Sequence, residues 1–267
     1  MSDLVLETHD LTRRFGNLVA VDAVNFQVGA GQIFGLLGSN GAGKTTVIKM
    51  LTTLLPPTAG TAIVAGFDIR RQAAQVRRAI GYVPQMLSAD SNLTGYENLL
   101  IFAKLYDVPR GNRTAWISEA LALMGLEDAG GRLVREYSGG MIRRLEIAQS
   151  MLHRPQVLFL DEPTVGLDPI ARNSVWERLR QLGTEFKTTV FLTTHEMEEA
   201  DALCQQIAIL HLGAVAVSGS PSTLKASLGK EGATLDDVFV RYAGTLMESG
   251  GTYRDVSRIR RTARRVG

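Results

Sequence analysis

The sequence predicts an α/β fold built on a parallel sheet, and three stretches carry that prediction. Gln32 to Gly38, QIFGLLG, is a short apolar run that ends in glycine and leads into residues at helical spacing. Val157 to Leu160, VLFL, and Thr188 to Thr194, TTVFLTT, are two further runs of strand length with helix-sized segments between them. Alternation of buried strand and helix is the pattern of a parallel sheet.

Each element follows from local chemistry. After QIFGLLG, the residues Val47, Ile48, Met50, Leu51, Leu54 and Leu55 share one helical face, and Pro56-Pro57 end that helix. TAIVAG, residues 61–66, is the next strand, so the chain opens as a βαβ unit implying parallel pairing. From Met86 to about Arg154 the pattern turns helical. NLLIFAKLY and AWISEALALMGL carry apolar stripes, with Gly125 as a stop, which reads as a helical insertion. After VLFL and TTVFLTT comes QIAIL, Gln206 to Leu210. AVAVSG is its expected antiparallel partner across Leu212-Gly213. ATLDDVFVRYAG reads as a small terminal helix.

Bulk properties narrow the function classes. The 267 residues suffice for one large domain, or one domain with an appendage. A net charge of +2 does not advertise nucleic-acid binding, so none is expected. One cysteine, Cys204, excludes an internal disulfide framework and suits a reducing compartment. The start, MSDLVLETHD, lacks the basic n-region and apolar run of a signal peptide. No stretch is long and apolar enough to span a bilayer as a helix. Work at a membrane therefore means work on its surface or through a partner.

The chemistry begins at Gly38-Ser39-Asn40-Gly41-Ala42-Gly43-Lys44-Thr45, which fits GxxxxGK[ST] between a predicted strand and a predicted helix. Glycines let successive N–H groups turn inward around phosphate oxygens, and the helix start adds its positive end. Lys44 supplies a point charge for the β- and γ-phosphates. Thr45 offers a hydroxyl to Mg²⁺, and Thr46 a donor to another phosphate oxygen. This motif places the chain among P-loop nucleotide enzymes. The Asn-Lys-x-Asp motif with which GTPases read guanine does not occur.

Asp161 and Glu162 follow VLFL directly, where ligands gather in a parallel sheet. Side-chain alternation along a strand turns adjacent acids different ways. Asp161 is then the Mg²⁺ partner, directly or through water. Glu162 is the general base or water-positioner for attack on the γ-phosphate. His195 follows TTVFLTT and opens a helix with Glu196, Glu198 and Glu199. Taken alone, it is equally an ordinary polar residue at a helix start or a group that reaches the γ-phosphate. Gln85, in IGYVPQ, is either an incidental amide after a strand or a ligand for Mg²⁺ or the attacking water. His9, His153 and His211 read as structural or surface residues.

Taken in order, GSNGAGKTT, Gln85, YSGG, VLFLDEP, GLD and His195 resemble the ATP-binding subunit of ABC transporters, from about Leu4 to about Leu224. The resemblance implies a P-loop NTPase fold with a RecA-like parallel core, an N-terminal antiparallel β region and a helical insertion. It implies a cassette over 1–224, with its helical subdomain at about 86–155, and a small C-terminal extension over 225–267. It also assigns roles. Phe15, in LTRRFG, matches the aromatic residue that stacks on adenine. Gln85 matches the glutamine that couples the nucleotide site to a transmembrane partner. Ser138, Gly139 and Gly140 match the signature that meets the γ-phosphate of an opposite cassette. Asp168 matches the aspartate of the loop that follows the carboxylate pair, and His195 the switch histidine. Met141 stands where glutamine is usual and cannot make its amide hydrogen bond. Ser39 stands where proline is common.

YSGGM, the LTGYENL segment and TLDDVF further resemble the cassettes of daunorubicin-resistance type drug exporters. The implied machine uses ATP and Mg²⁺, with two cassettes, as a homodimer, on the cytoplasmic face of a membrane permease. Soluble repair ATPases of this class carry long coiled coils, and translation ATPases two cassettes. The short helical middle and single motif set fit neither. A non-hydrolysing ATP sensor is at odds with intact Glu162 and His195. Beyond Asp255 there are no acids, while Arg258, Arg260, Arg261, Arg264 and Arg265 crowd together. The favoured reading there is a solvated tail, with an arm for anionic lipid as the alternative and nucleic acid as a third.

Overall fold

The computed structural model describes residues 4–248. The expected basic tail lies outside the described residues. β1 (Leu4–Phe15), β2 (Leu18–Val24) and β3 (Gln27–Gly29) open an antiparallel sheet, and β4 (Ile33–Leu37) starts a second one. Helix α1 (Lys44–Leu51) leads to β5 (Ala59–Val64) and β6 (Phe67–Asp68), and α2 (Ala73–Ala79) to β7 (Ile80–Val83). The helical middle is α3 (Gly95–Leu105), α4 (Arg113–Leu123) and α5 (Gly139–Met151). Then come β8 (Val157–Asp161), α6 (Pro169–Glu185), β9 (Thr189–Thr194), α7 (Met197–Leu203), β10 (Gln206–His211) and β11 (Ala214–Gly219). Two helices, α8 (Pro221–Ala226) and α9 (Leu235–Glu248), end the described chain.

The main sheet has the order β11-β10-β4-β9-β8-β7. Its contacts from β10 through β7 are parallel, and β11 closes the edge antiparallel to β10, as the sequence predicts. Every residue of β4, β8 and β9 is buried. That is why these strands read as unbroken apolar runs. Alternate side chains feed two cores. Leu158, Leu160, Val190 and Leu192 pack with α3 to α7 on one face. Val157, Phe159, Phe191 and Phe34 pack with α1 and the antiparallel sheet on the other. There, rings of Phe26, Phe34 and Phe191 stack at centroid distances of 5.2 and 5.4 Å.

Three expectations need correction. TAIVAG does not become a parallel neighbour of β4: as β5 it pairs antiparallel with β1 and β6 in the other sheet. Its burial alternates, with Ala62 and Val64 inside and Thr61 and Ile63 partly exposed, which suits a strand with one core face. The helix after the glycine loop ends at Leu51, not Leu55; Thr53 takes a left-handed φ of 62° and Leu54 is exposed. Strand alternation stops at Asp161, because Glu162 has φ 50°. Both acids therefore reach the start of α1.

Gly35, in the middle of β4, has a packing reason: a Cβ there would lie 2.8 Å from Cys204 Sγ. Cys204 follows α7 directly and is buried.

Candidate functional site

The glycine loop joins β4 to α1 at the carboxyl end of the main sheet. A Cβ on Gly38 would lie 2.4 Å from the Leu210 carbonyl oxygen, and one on Gly43 2.6 Å from that of Ala20. Gly43 also has φ 112°, so the fold itself demands glycine at these two positions. Ala42 is buried and donates its N–H to the Ser39 carbonyl at 3.0 Å, tightening the turn. Ser39, Asn40 and Gly41 are exposed at the rim. No side chain caps the N-terminus of α1, and its first turn has no acid. Its leading amides and the macrodipole are thus directed at an anion rather than at a capping residue.

Lys44 is 4% exposed, yet its ammonium donates to the carbonyls of Gly38 at 2.8 Å and Ser39 at 3.3 Å. Its Nζ is also 3.1 Å from Glu162 Oε1. Thr45 Oγ1 donates to Asp161 Oδ1 at 3.3 Å, and Thr193 Oγ1 donates to the same oxygen at 2.6 Å. The Glu162 N–H donates in turn to the Thr193 carbonyl and Oγ1, at 3.1 and 3.0 Å. Gln85 Nε2 donates to Glu162 Oε2 at 3.1 Å. His195 Nδ1 approaches Glu162 Oε1 to 3.4 Å, in an alignment that makes no hydrogen bond, and stays buried and unpaired. Tyr82, on β7, lies within reach of the Asp161 charge. Burial and the Asp161 charge push its phenol up to about 12, so it stays neutral at physiological pH.

Lys44, Thr45, Gln85, Glu162 and His195 border an open cleft of about 830 Å³ that also takes in Asn40, Gly41, Gly43 and Thr46. Phe15 walls one end, 45% exposed, with the Arg13 guanidinium 4.6 Å from its ring centroid. Arg13 itself donates to the Pro56 carbonyl at 2.8 Å. An aromatic face, a glycine-rich loop at an uncapped helix start and a buried ammonium fit a nucleoside polyphosphate. No group of three or more His, Cys, Asp or Glu with metal-holding geometry occurs among the described residues. The set Thr45, Asp161 and Gln85 instead suits a cation that shares its shell with phosphates and water, the usual habit of Mg²⁺.

The matching family model, ABC transporter, covers residues 21–165. The chain belongs to the ABC transporter family. It is 42% identical over 246 residues to the daunorubicin resistance ATP-binding protein DrrA3 of Streptomyces coeruleorubidus, covering 92% of this chain and 77% of that one. It is 41% identical over 227 residues to the Nod factor export ATP-binding protein I of Paraburkholderia xenovorans strain LB400, covering 85% and 74%. A solved structure of the ATP-binding subunit of an ABC transporter superposes with a TM-score of 0.78 at 29% identity, covering 89% of this chain and 99% of that one. This ABC subunit is accordingly an ATP-binding ATPase that drives a transporter.

The ABC motifs fall into two groups in space. Phe15, Asn40, Gly41, Gly43, Lys44, Thr45, Thr46, Gln85, Glu162 and His195 meet at the cleft, with Asp161 behind it on Thr45. Ser138, Gly139, Gly140, Met141 and Asp168 do not border it. They form a second, adjoining surface at the starts of α5 and α6. Ser138 Oγ caps α5 by accepting the Met141 N–H at 3.3 Å, and Asp168 Oδ1 caps α6 by accepting from Ile170 and Ala171 at 3.0 Å each. The paired glycines differ. A Cβ on Gly140 would lie 2.7 Å from Ala171 Cβ, so Gly140 serves the contact of α5 with α6. A Cβ on Gly139 would meet only Leu167 Cδ2 at 3.5 Å, and Gly139 is exposed. Ile170, beside them, is 84% exposed.

Thr193 escaped sequence reasoning although it bridges both carboxylate residues. Its only mark in the sequence is a hydroxyl in an apolar strand, where residues buried on both faces carry none by default.

Proposed function

We propose that this subunit hydrolyses ATP at the cleft and powers an exporter of drugs or other hydrophobic small molecules. The export assignment draws on relatives whose names refer to daunorubicin resistance and Nod factor export. The observation that carries the hydrolytic reading is convergence: Lys44, Gln85 and His195 all lie within 3.4 Å of the Glu162 carboxylate.

In this reading the amides of the glycine loop and Lys44 hold the β- and γ-phosphates, and Phe15 stacks on the adenine. Thr45, Asp161 and Gln85 hold Mg²⁺, which when bound neutralises charge on the transferred phosphoryl group. Thr193 holds Asp161 in place through its hydroxyl. Glu162 takes the proton of the attacking water, oriented by the Gln85 amide. His195, with its unpaired Nδ1, acts on the γ-phosphate side. Ser138, Gly139, Gly140, Met141 and Asp168 act in trans on a second cassette. Gly139 supports this, because the fold leaves its face open to close approach. ATP then favours the closed pair by its higher affinity for that state.

Among the described residues no helix is long and apolar enough to cross a membrane. We place the subunit on the cytoplasmic face of the membrane, held by a separate permease. For the basic residues from Arg258 to Arg265 a solvated tail stays the favoured reading, with a contact for anionic lipid as the alternative to be tested.

Steady-state ATP turnover in the presence of the membrane partner, with Glu162→Gln as control, tests the hydrolytic reading. Wild type should exceed the variant by orders of magnitude, and equal inactivity would overturn it. Recovery of the chain with a multi-span membrane protein from detergent extracts tests the placement. Removing residues 257–267 should weaken binding to anionic vesicles, and unchanged binding retires the lipid contact.

A further inference from the structure

Arg143 and Glu146 sit on α5, five and eight residues after Ser138, and no motif marks them. Their ion pair spans 3.0 Å with side chains only 4% and 2% exposed. The pair grips a loop on another element. Arg143 Nη1 donates to the Pro84 carbonyl and Nη2 to the Gln85 carbonyl, each at 2.7 Å. Glu146 Oε1 accepts from the Ser88 N–H and, at 3.2 Å, from its hydroxyl. Residues 84–88 belong to no strand or helix. Met86 and Leu87 are 81% and 50% exposed, so packing does little to hold this loop. Its backbone groups at 84, 85 and 88 find their partners on α5.

A buried ion pair is poor evidence of a stability role, since packed apolar residues serve stability as well or better. What apolar residues cannot do is hold two consecutive carbonyls and an amide. The planar guanidinium fork holds the two carbonyls, as lysine, a point charge, does not, and the Glu146 carboxylate holds the amide. The loop so held carries the Gln85 amide, 3.1 Å from Glu162 Oε2.

We infer that the Arg143–Glu146 pair is a positioning unit for Gln85. It ties loop 84–88 to α5, so that the position of the helix bearing Ser138 sets where the Gln85 amide meets Glu162. Engagement of Ser138 and Gly139 by a second cassette and placement of Gln85 are then one rigid movement. The inference rests on the proposed hydrolytic role of Glu162.

The full-length chain is tested in two ways. Hydrogen exchange at the Ser88 amide needs no activity: Arg143→Gln, and the milder Glu146→Gln, should each speed it by about tenfold or more, as expected when a protecting bond opens locally rather than globally. Unchanged exchange in both variants overturns the clamp. Turnover with the membrane partner supplies the second readout. Arg143→Gln should lower kcat about tenfold or more with KM for ATP shifted less than about threefold, the pattern of a lost transition-state interaction. In a Gln85→Ala background the same substitution should cost less than about twofold further, because residues acting as a unit are non-additive. Independent, multiplying losses overturn action through Gln85, as does a matching loss of ATP binding. A wild type whose turnover does not depend on Glu162 instead defeats the functional reading, while the exchange result stands on its own.

Discussion

Lys44 Nζ lies 3.1 Å from Glu162 Oε1, and the two side chains are 4% and 8% exposed. The lysine that serves phosphate and the carboxylate that serves water therefore hold one another. Glu162→Gln removes the charge while Lys44 keeps the carbonyls of Gly38 and Ser39. Turnover should fall by roughly 10²–10⁴, the span of general-base catalysis. ATP affinity, measured by equilibrium binding, should hold or rise, because the ammonium no longer has a competing anion. A marked loss of affinity would show that Glu162 serves binding rather than chemistry.

The two signature glycines should separate stability from function. Gly140→Ala forces a Cβ to within 2.7 Å of Ala171 Cβ and should cost about 1–3 kcal/mol by overpacking. Gly139→Ala meets only an ordinary contact and should change stability by less than about 0.5 kcal/mol. It should nevertheless depress turnover, by obstructing the approach of a second cassette. Thermal melts and ATP turnover on both variants check this. Full activity in Gly139→Ala would mean that the open face receives no partner.

Thr193→Val keeps the shape of β9 but takes from Asp161 Oδ1 its 2.6 Å donor, leaving it only the longer bond from Thr45 at 3.3 Å. Unfolding by denaturant should show a loss of about 1.5–3 kcal/mol, as for a lost hydrogen bond to a charged group. Turnover should fall as well, since Asp161 is no longer fixed against Thr45. Thr193→Ser, which keeps the hydroxyl, should recover most of both.

Glu199 is buried in α7, and its Oε1 accepts from Thr164 at 2.6 Å and Trp176 at 3.0 Å. Burial raises its carboxyl above the ordinary range; hydrogen bonds from Thr164, Thr194 and Trp176 oppose that, and the Glu196 charge adds to it. In the window from the unfolded carboxyl value of 4.5 up to that raised value, the folded state holds more protons than the unfolded one. This group's contribution to stability therefore declines as pH rises through the window. Glu199→Gln keeps the acceptor and removes the proton. Denaturation midpoints for wild type minus variant should fall with rising pH above 4.5, and a flat difference would refute it.

Much of the site was legible because its chemistry is local. The glycine loop, Asp161, Glu162 and His195 each directly follow an apolar strand, and one core strand after another carries its ligand at the same sheet edge. Partnership between distant segments is not local. β4 pairs with β9 and β10, far along the chain, so a strand that follows α1 closely, such as β5, looks like its neighbour and is not. Arg143 and Glu146 were invisible for a related reason. On a helix they read as a solvated i,i+3 pair, and only the docking of loop 84–88 turns that face inward. Gly140 was legible as a glycine, but not the reason for it, which lies on Ala171 of another helix.

Cys204 is the only thiol in the sequence. It lies against Gly35, where β4 leaves no room for a Cβ, immediately after the helix that His195 precedes. Burial pushes the thiol well above its ordinary range, so in the folded chain it offers thiol reagents little thiolate. Its alkylation requires an opening that uncovers it, and the nearest to hand is the parting of the end of α7 from Gly35 of β4. The unmodified protein thus carries its own stopwatch for the opening of the histidine side of the cleft, readable by mass spectrometry with and without ATP.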